Sequence, residues 1–231
     1  MYVFILGPAG AGKTSIAKNL SKHGILINLD AATPCNACID IRKWVKIEEI
    51  QKNYALGING ALLKSMEIIS NMDEWLVKDK NKIKIVDTPG QLDIFLYHDY
   101  GRKIVKKASE NDIVSSVFVM DANEILSVEN YLAMLALNAI INLRLSIPSI
   151  TVINKIDTIN VEQIKKFFDR KYLKNEIKKG DAIVSLASGL IDYIEYTSIY
   201  SRAILTSAKT GEGIDELYDA IHEVHCSCGE L

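Results

Sequence analysis

A chain of 231 residues, 48% of them apolar, has the size of one α/β domain and enough apolar side chain for a sizeable core. Its formal net charge of −2 excludes a chain-wide affinity for nucleic acid or anionic membrane, and no apolar run reaches the length of a bilayer span. The four cysteines form two close pairs, Cys35/Cys38 and Cys226/Cys228. No basic segment precedes the apolar start, so no signal peptide is expected, a cytoplasmic location is, and free thiols are the first reading of the cysteines. A zinc site or a redox link is the second, as is a metal site at the tail, where His225 stands beside Cys226 and Cys228.

Residues 2–6 predict a strand, and a helical run starts at Ser15. Between them lies Gly7-Pro8-Ala9-Gly10-Ala11-Gly12-Lys13-Thr14. The pattern G-x-x-x-x-G-K-[ST] in this strand-to-helix setting is the phosphate-binding P-loop. Glycines let the backbone curl so that the N–H groups of Gly10, Ala11, Gly12, Lys13, Thr14 and Ser15 point at a phosphate chain, and the helix N-terminus adds a positive dipole end. Lys13 is expected to reach the β- and γ-phosphates, and Thr14 to offer its hydroxyl to Mg²⁺.

Lys22-His23-Gly24 stops this helix, and residues 25–29 form a second strand ending in Asp30. A loop over 31–37 leads to Asp40-Ile41-Arg42 and to helical signals at Val45, Ile47 and Ile50. Gly57 and Gly60 bracket Asn59 in a break, after which helical periodicity resumes at Ala61 and reads on toward Val77. A third strand, 83–87, delivers Asp87-Thr88-Pro89-Gly90-Gln91, and an amphipathic stretch covers 92–111. The almost wholly apolar 114–120 reads as an interior strand, ended by Asp121.

A long helix over 129–143 precedes a fifth strand, 150–153, which delivers Asn154-Lys155-Ile156-Asp157. Residues 160–200 read as Lys-rich helix broken at Gly180-Asp181. A sixth strand over 203–206 delivers Ser207-Ala208-Lys209, and a helix over 214–224 closes the pattern. Alternating strands and helices predict an α/β fold with a parallel sheet covered on both faces. No repeat or linker divides it, so one domain over 1–231 is expected, with a helical insertion over about 42–80.

The short polar stretches all fall at strand C-terminal ends, the edge where parallel α/β sheets bind ligands. Asp87-Thr88-Pro89-Gly90 is D-x-x-G. A carboxylate there can hold Mg²⁺ through water, and Gly90 can bring its N–H against a γ-phosphate, making the segment a switch. Asn154-Lys155-Ile156-Asp157 is N-K-x-D. The Asp157 carboxylate can accept from guanine N1–H and from its exocyclic amine, a pair that adenine does not offer. Asn154 braces the loop, the Lys155 stem lies over the base, and Ser207-Ala208-Lys209 offers the Ala208 N–H to guanine O6. Arg42 and Arg102 are candidates for charge stabilisation, with surface salt bridges the plainer reading.

These residues resemble the P-loop GTPases. Asp30, Asp40-Ile41-Arg42, Gly57-Ile58-Asn59-Gly60-Ala61-Leu62, Asp87-Thr88-Pro89-Gly90-Gln91 and Asn154-Lys155-Ile156-Asp157 together look like the GPN-loop GTPases over essentially the whole chain. That family is named for an inserted Gly-Pro-Asn, and its fold is similar to the dimerising, SIMIBI-like branch that includes the signal-recognition-particle GTPases. The sequence departs from the pattern at Ile58, where the family has Pro, at Ala31, and in the cysteine-bearing loop before Asp40. The resemblance implies a homodimer in which Asn59 reaches the partner copy's phosphates and attacking water. Asp40 is then the candidate for polarising that water, with Mg²⁺ held by Thr14 and by Asp30, Asp40 or Asp87. Gln91 orients water or makes a dimer contact.

The expected activity is Mg²⁺-dependent hydrolysis of GTP to GDP as a molecular switch. The second reading is an assembly factor for a multisubunit partner, RNA polymerase by the resemblance, with hydrolysis as a timer. A P-loop kinase is a third reading, and the guanine readers argue against it.

Overall fold

The computed structural model describes residues 1–177, 189 and 203–228. Seven strands make one sheet, all pairings parallel: β1 (Tyr2–Leu6), β2 (Gly24–Asn28), β3 (Ile39–Asp40), β4 (Ile83–Asp87), β5 (Val114–Asp121), β6 (Ser149–Asn154) and β7 (Ile204–Leu205). Their spatial order is β3-β2-β4-β1-β5-β6-β7. Among the described residues the helices are α1 (Lys13–Leu20), α2 (Ile47–Tyr54), α3 (Ile58–Asn71), α4 (Leu92–Leu96), α5 (Asp99–Ser109), α6 (Val128–Leu145), α7 (Glu162–Lys165), α8 (Arg170–Ile177) and α9 (Ile214–Cys228).

Side chains alternate across each strand, and β1 is buried throughout, so its residues feed two cores. Tyr2, Phe4 and Leu6 pack with Met66 and Ile69 of α3, Ile104 of α5 and Leu132 of α6. Val3 and Ile5 pack with Ile16 and Leu20 of α1 and with Leu217 and Ile221 of α9. The helices thus cover both faces, as the alternating pattern requires. Because every strand runs the same way, all the polar motifs gather at one edge.

The edge strand β3 was not legible as a strand; its two residues pair with Ile27 and Asn28 of β2. The amphipathic stretch over 92–111 resolves into α4 and α5. They turn tightly against each other, since a Cβ on Gly101 would lie 2.0 Å from the Phe95 carbonyl oxygen. Helix α3 stops at Asn71, short of Val77, because Trp75 turns inward instead. It is fully buried, packs edge-on against Tyr2 with ring centroids 6.2 Å apart, and donates its indole N–H to the Met72 carbonyl at 3.1 Å. That burial outweighs the helical preference of the local sequence. Of the helical segment expected over 160–200, α7 and α8 are seen, and the break at Gly180-Asp181 lies outside the described residues.

Candidate nucleotide site

The P-loop turns on glycines in the left-handed region, Gly10 at φ 83° and Gly12 at φ 96°. Gly12 also has no room for a side chain, since a Cβ would lie 2.3 Å from Asn154 Nδ2. Helix α1 starts immediately after it, aiming its free N–H groups into the loop. Lys13 is buried and donates to the carbonyls of Gly7 and Pro8 at 2.9 Å each and to that of Gly90 at 3.4 Å. Burial pulls its pKa down, while the charges of Asp87 and Asp30 act the other way.

Register places the acidic groups side by side. Asn28 of β2 pairs with Asp87 of β4 on one side and with Asp40 of β3 on the other. Asp87 is 1% exposed, its Oδ1 is buried with no partner, and its carboxyl accepts the Thr14 hydroxyl. Burial raises its pKa to about 6, against the Thr14 hydrogen bond and the Lys13 charge. Asp30 folds its own loop, its Oδ1 accepting from the N–H groups of Ala32 at 2.9 Å and Thr33 at 3.3 Å.

Asp40 is held differently. It accepts from Arg42 Nε at 3.0 Å and Arg42 Nη2 at 2.5 Å, and from Asn28 Nδ2 at 3.2 Å. Burial would raise its pKa, but the Arg42 hydrogen bonds outweigh that and hold it below the usual carboxylate range. Arg42 is therefore a salt-bridge partner of the candidate water activator, and Asp40 in this conformation has both oxygens engaged.

Asn59 lies in the first turn of α3, with Gly57 as an extended N-cap, and the left-handed residue of this break is Ala55 at φ 52°. Ile58 therefore occupies the first helical position, the place where proline is pre-organised, and an isoleucine meets the same φ requirement. The Asn59 side chain is exposed and unpartnered, and it lines a cleft of about 560 Å³ together with Ala9, Gly90, Gln91 and His98. A Cβ on Gly90 would meet nothing within 4 Å, so the space above it is open. A neighbouring cleft is lined by Asp30, Thr33, Met66 and Pro89.

At the other end of the edge, Asn154 is 1% exposed and joins three segments. Its Nδ2 donates to the Ala11 carbonyl of the P-loop at 2.9 Å, and its Oδ1 accepts from the Ala208 N–H at 3.0 Å. The Ala208 N–H, read as a donor to the base, is thus turned to Asn154 in this structure. Ser207 Oγ donates to Asp157 Oδ1 at 2.6 Å, aiming the carboxylate. Lys155 sits at φ 67° and its ammonium meets Asp121 Oδ2 at 2.5 Å. Asp121, read from sequence only as the end of a strand, is therefore a further candidate. It lies opposite Asn154 in the β5–β6 register and also accepts from Asn123. The sole signal for it was an acidic residue at a strand end.

Among the described residues no three or more His, Cys, Asp or Glu side chains gather as a metal cluster. Cys35 is buried and Cys38 exposed, and both are free thiols. Burial and the Asp87 charge push the Cys35 thiol up, which disfavours thiolate chemistry there. The side chains of His225, Cys226 and Cys228 lie outside the described residues. No helix is long and apolar enough to cross a membrane among the described residues.

An all-parallel sheet whose first strand runs through a glycine loop into a helix, with the other motifs at the same edge, defines a P-loop nucleotide-binding protein. A family model over most of the chain, with relatives named GPN-loop GTPases, shows that the chain belongs to the GPN-loop GTPase family. A family model described as "Conserved hypothetical ATP binding protein" matches residues 5–227. GPN-loop GTPase PAB0955 of Pyrococcus abyssi is 28% identical over 251 residues, covering 100% of each chain. The crystal structure of PAB0955, described as a GTPase in apo form, matches with a TM-score of 0.81 at 27% identity, over 99% of this chain and 98% of that one. GPN-loop GTPase 1 of Dictyostelium discoideum is 28% identical over 241 residues, which are 95% of this chain and 60% of the relative.

Proposed function

We propose that this chain binds GTP and hydrolyses it to GDP as a Mg²⁺-dependent switch, working as a homodimer. The observation that carries the reading is the Asn154 side chain, which ties the P-loop to the loop bearing Ala208. Phosphate holders and base readers thereby form one site. The family model's description speaks of ATP. Against adenine, Asp157 is an acceptor that needs the paired donors of guanine.

The donor set suits a hard cation: oxygen groups, one of them the orphaned buried Asp87 Oδ1 beside the Thr14 hydroxyl. Thr14, Asp87 and Asp30 would hold Mg²⁺, which would supply neutralisation of the phosphate charge. Lys13 exchanges its backbone carbonyls for phosphate oxygens. Gln91 and Asn59, both exposed in the cleft, orient the water. Asp40 joins them as water activator or metal ligand only once its carboxylate parts from the Arg42 guanidinium.

Exposed Trp44, Tyr54 and Ile58, on or beside α2 and α3, support a second copy as the partner of this face. On this reading hydrolysis times the assembly of a larger complex, a multisubunit partner such as RNA polymerase being the class that the family resemblance implies. The protein is expected to work in the cytoplasm.

Asn59→Ala is expected to slow hydrolysis about a hundredfold or more while leaving GDP affinity near wild type, the loss expected for one transition-state hydrogen-bond donor. Mixing Asn59→Ala with Lys13→Ala subunits decides how the site is shared. If Asn59 acts in trans, mixed dimers hold one complete site and recover about a quarter of wild-type turnover. No recovery on mixing places Asn59 in its own subunit's site and removes the shared-site argument.

Asp121→Ala releases the Lys155 ammonium. The pair is partly exposed, with side-chain accessibilities of 36% for Lys155 and 11% for Asp121, so the expected loss is modest. Affinity for GDP, read by displacement of a fluorescent analogue, should fall roughly three- to tenfold. An unchanged affinity would show that Lys155 needs no brace.

A further inference from the structure

Asn19 belongs to none of the nucleotide motifs. It lies in α1, the helix whose first turn carries Lys13 and Thr14. Its Nδ2 donates back to the Ser15 carbonyl at 3.2 Å, one helical turn earlier, and across the molecule to the Ala208 carbonyl at 2.8 Å. Both amide hydrogens have acceptors, so the side chain is fixed in direction.

The Ala208 residue is then gripped from two sides. Asn154 Oδ1 accepts its N–H at 3.0 Å, and Asn19 holds its carbonyl. Asn154 in turn donates to Ala11 at 2.9 Å. The contacts close a ring: Ala11 of the P-loop, Asn154, Ala208, Asn19, and Ser15 just after the P-loop. The ring starts and ends on the phosphate-binding segment, which makes the loop after β7 an outrigger of α1.

We propose that Asn19 is a positioning residue for guanine: by holding the Ala208 carbonyl it keeps that backbone in place when the N–H turns from Asn154 Oδ1 to O6 of a base whose phosphates lie on the same helix. This rests on the reading of the cleft as a GTP site. Asn154 is shared between the P-loop and Ala208 and is itself close to the base, whereas Asn19 approaches Ala208 from the helix side. Asn19 therefore acts on the base edge through Ala208, its other contact being the Ser15 carbonyl of its own helix. Its loss leaves Asp157, Lys13 and Asn154 in place and frees one edge of the Ala208 loop.

The test compares three diphosphates on wild-type, Asn19→Ala and Asn19→Asp proteins. GDP carries both O6 and the 2-amine, IDP keeps O6 and lacks the amine, and 2-aminopurine riboside diphosphate keeps the amine and lacks O6. Alanine is the best helix former and suits this helical position, so the first variant is expected to fold. The second keeps the shape, removes the donor and sets a carboxylate against the Ala208 carbonyl. Affinity for GDP and IDP should fall about tenfold in Asn19→Ala, the upper end of one net hydrogen bond, and at least as far in Asn19→Asp. Affinity for the 2-aminopurine compound should change by less than about twofold, since it offers Ala208 no acceptor.

Equal losses for all three diphosphates would make Asn19 a support of the fold only, and no loss would remove it from the site; either result overturns the proposal. A failure of the GTP reading appears earlier and elsewhere: wild-type protein would hold ADP as tightly as GDP, and that result overturns both.

Discussion

Asp157→Asn is expected to turn the site from guanine to xanthine nucleotides. The Asp157 carboxylate has one oxygen taking the Ser207 hydroxyl at 2.6 Å, which fixes the plane in which the group can meet a base edge. Guanine offers that plane two donors. An amide in the same place accepts from only one of them and sets its own donor against the exocyclic amine. Xanthine carries a carbonyl at that position, and the mismatch disappears. Each charge-assisted hydrogen bond contributes roughly 1.5–3 kcal/mol, so GTP affinity should fall at least about a hundredfold and XTP affinity rise by a comparable factor. Competition of GTP, XTP and ATP against a fluorescent diphosphate measures all three. GTP affinity unchanged in the variant would mean that Asp157 does not read the base.

The second large effect runs in two directions at once. Asp87→Asn should stop hydrolysis, with turnover down about a hundredfold or more, because the position loses the charge a cation needs. The same change should stabilise the nucleotide-free protein. Burial holds the folded pKa at about 6, above the ordinary value of 3.8. The fold thus binds this proton more tightly than the unfolded chain does. The ionised group weakens the fold fully above about pH 6, and the penalty fades as pH falls toward 4. Holding the pKa at about 6 in place of 3.8 corresponds to roughly 3 kcal/mol, or several degrees in melting temperature for a chain of this size. Thermal unfolding without nucleotide or Mg²⁺, at pH 5 and at pH 7.5, reads this directly. The wild type should gain stability relative to Asp87→Asn on acidification, and the variant should be the more stable at pH 7.5. A variant less stable than wild type at pH 7.5 would show that the carboxylate is not penalised by burial. A residue kept at a cost to the fold is what a binding site looks like when its ligand is counted on to arrive.

The sequence made the phosphate and base motifs legible because their chemistry is local. Glycines at Gly10 and Gly12 announce left-handed backbone, and the strand and helix flanking them can be read from periodicity. It could not show β3, two residues long and formed only because β2 offers an edge. Trp75 was hidden for the opposite reason: it sits in a plausible helical run, and only its place against Tyr2 shows that it leaves the helix. Asp121 and Asn19 were beyond reach because their roles depend on partners 34 and 189 residues away. Motifs report which groups face the ligand. What holds those groups still is set by the assembled sheet.

The position of β1 has a consequence for how the chain is made. Of the seven strands, the one made earliest is the middle of the finished sheet, flanked by β4 and β5, with Tyr2 opposite Lys84 on one side and Val114 on the other. Helix α1 and β4 can cover it early, but its second edge has no partner until residues beyond 114 have been synthesised. At about 5–20 residues per second that is an interval of several seconds or more, during which an apolar strand waits with one edge open. Long-range parallel pairing of this kind is slow to form even in the complete chain. The phosphate loop is thus made well before the loop bearing Ala208, and the nucleotide site is complete only when translation is past β7.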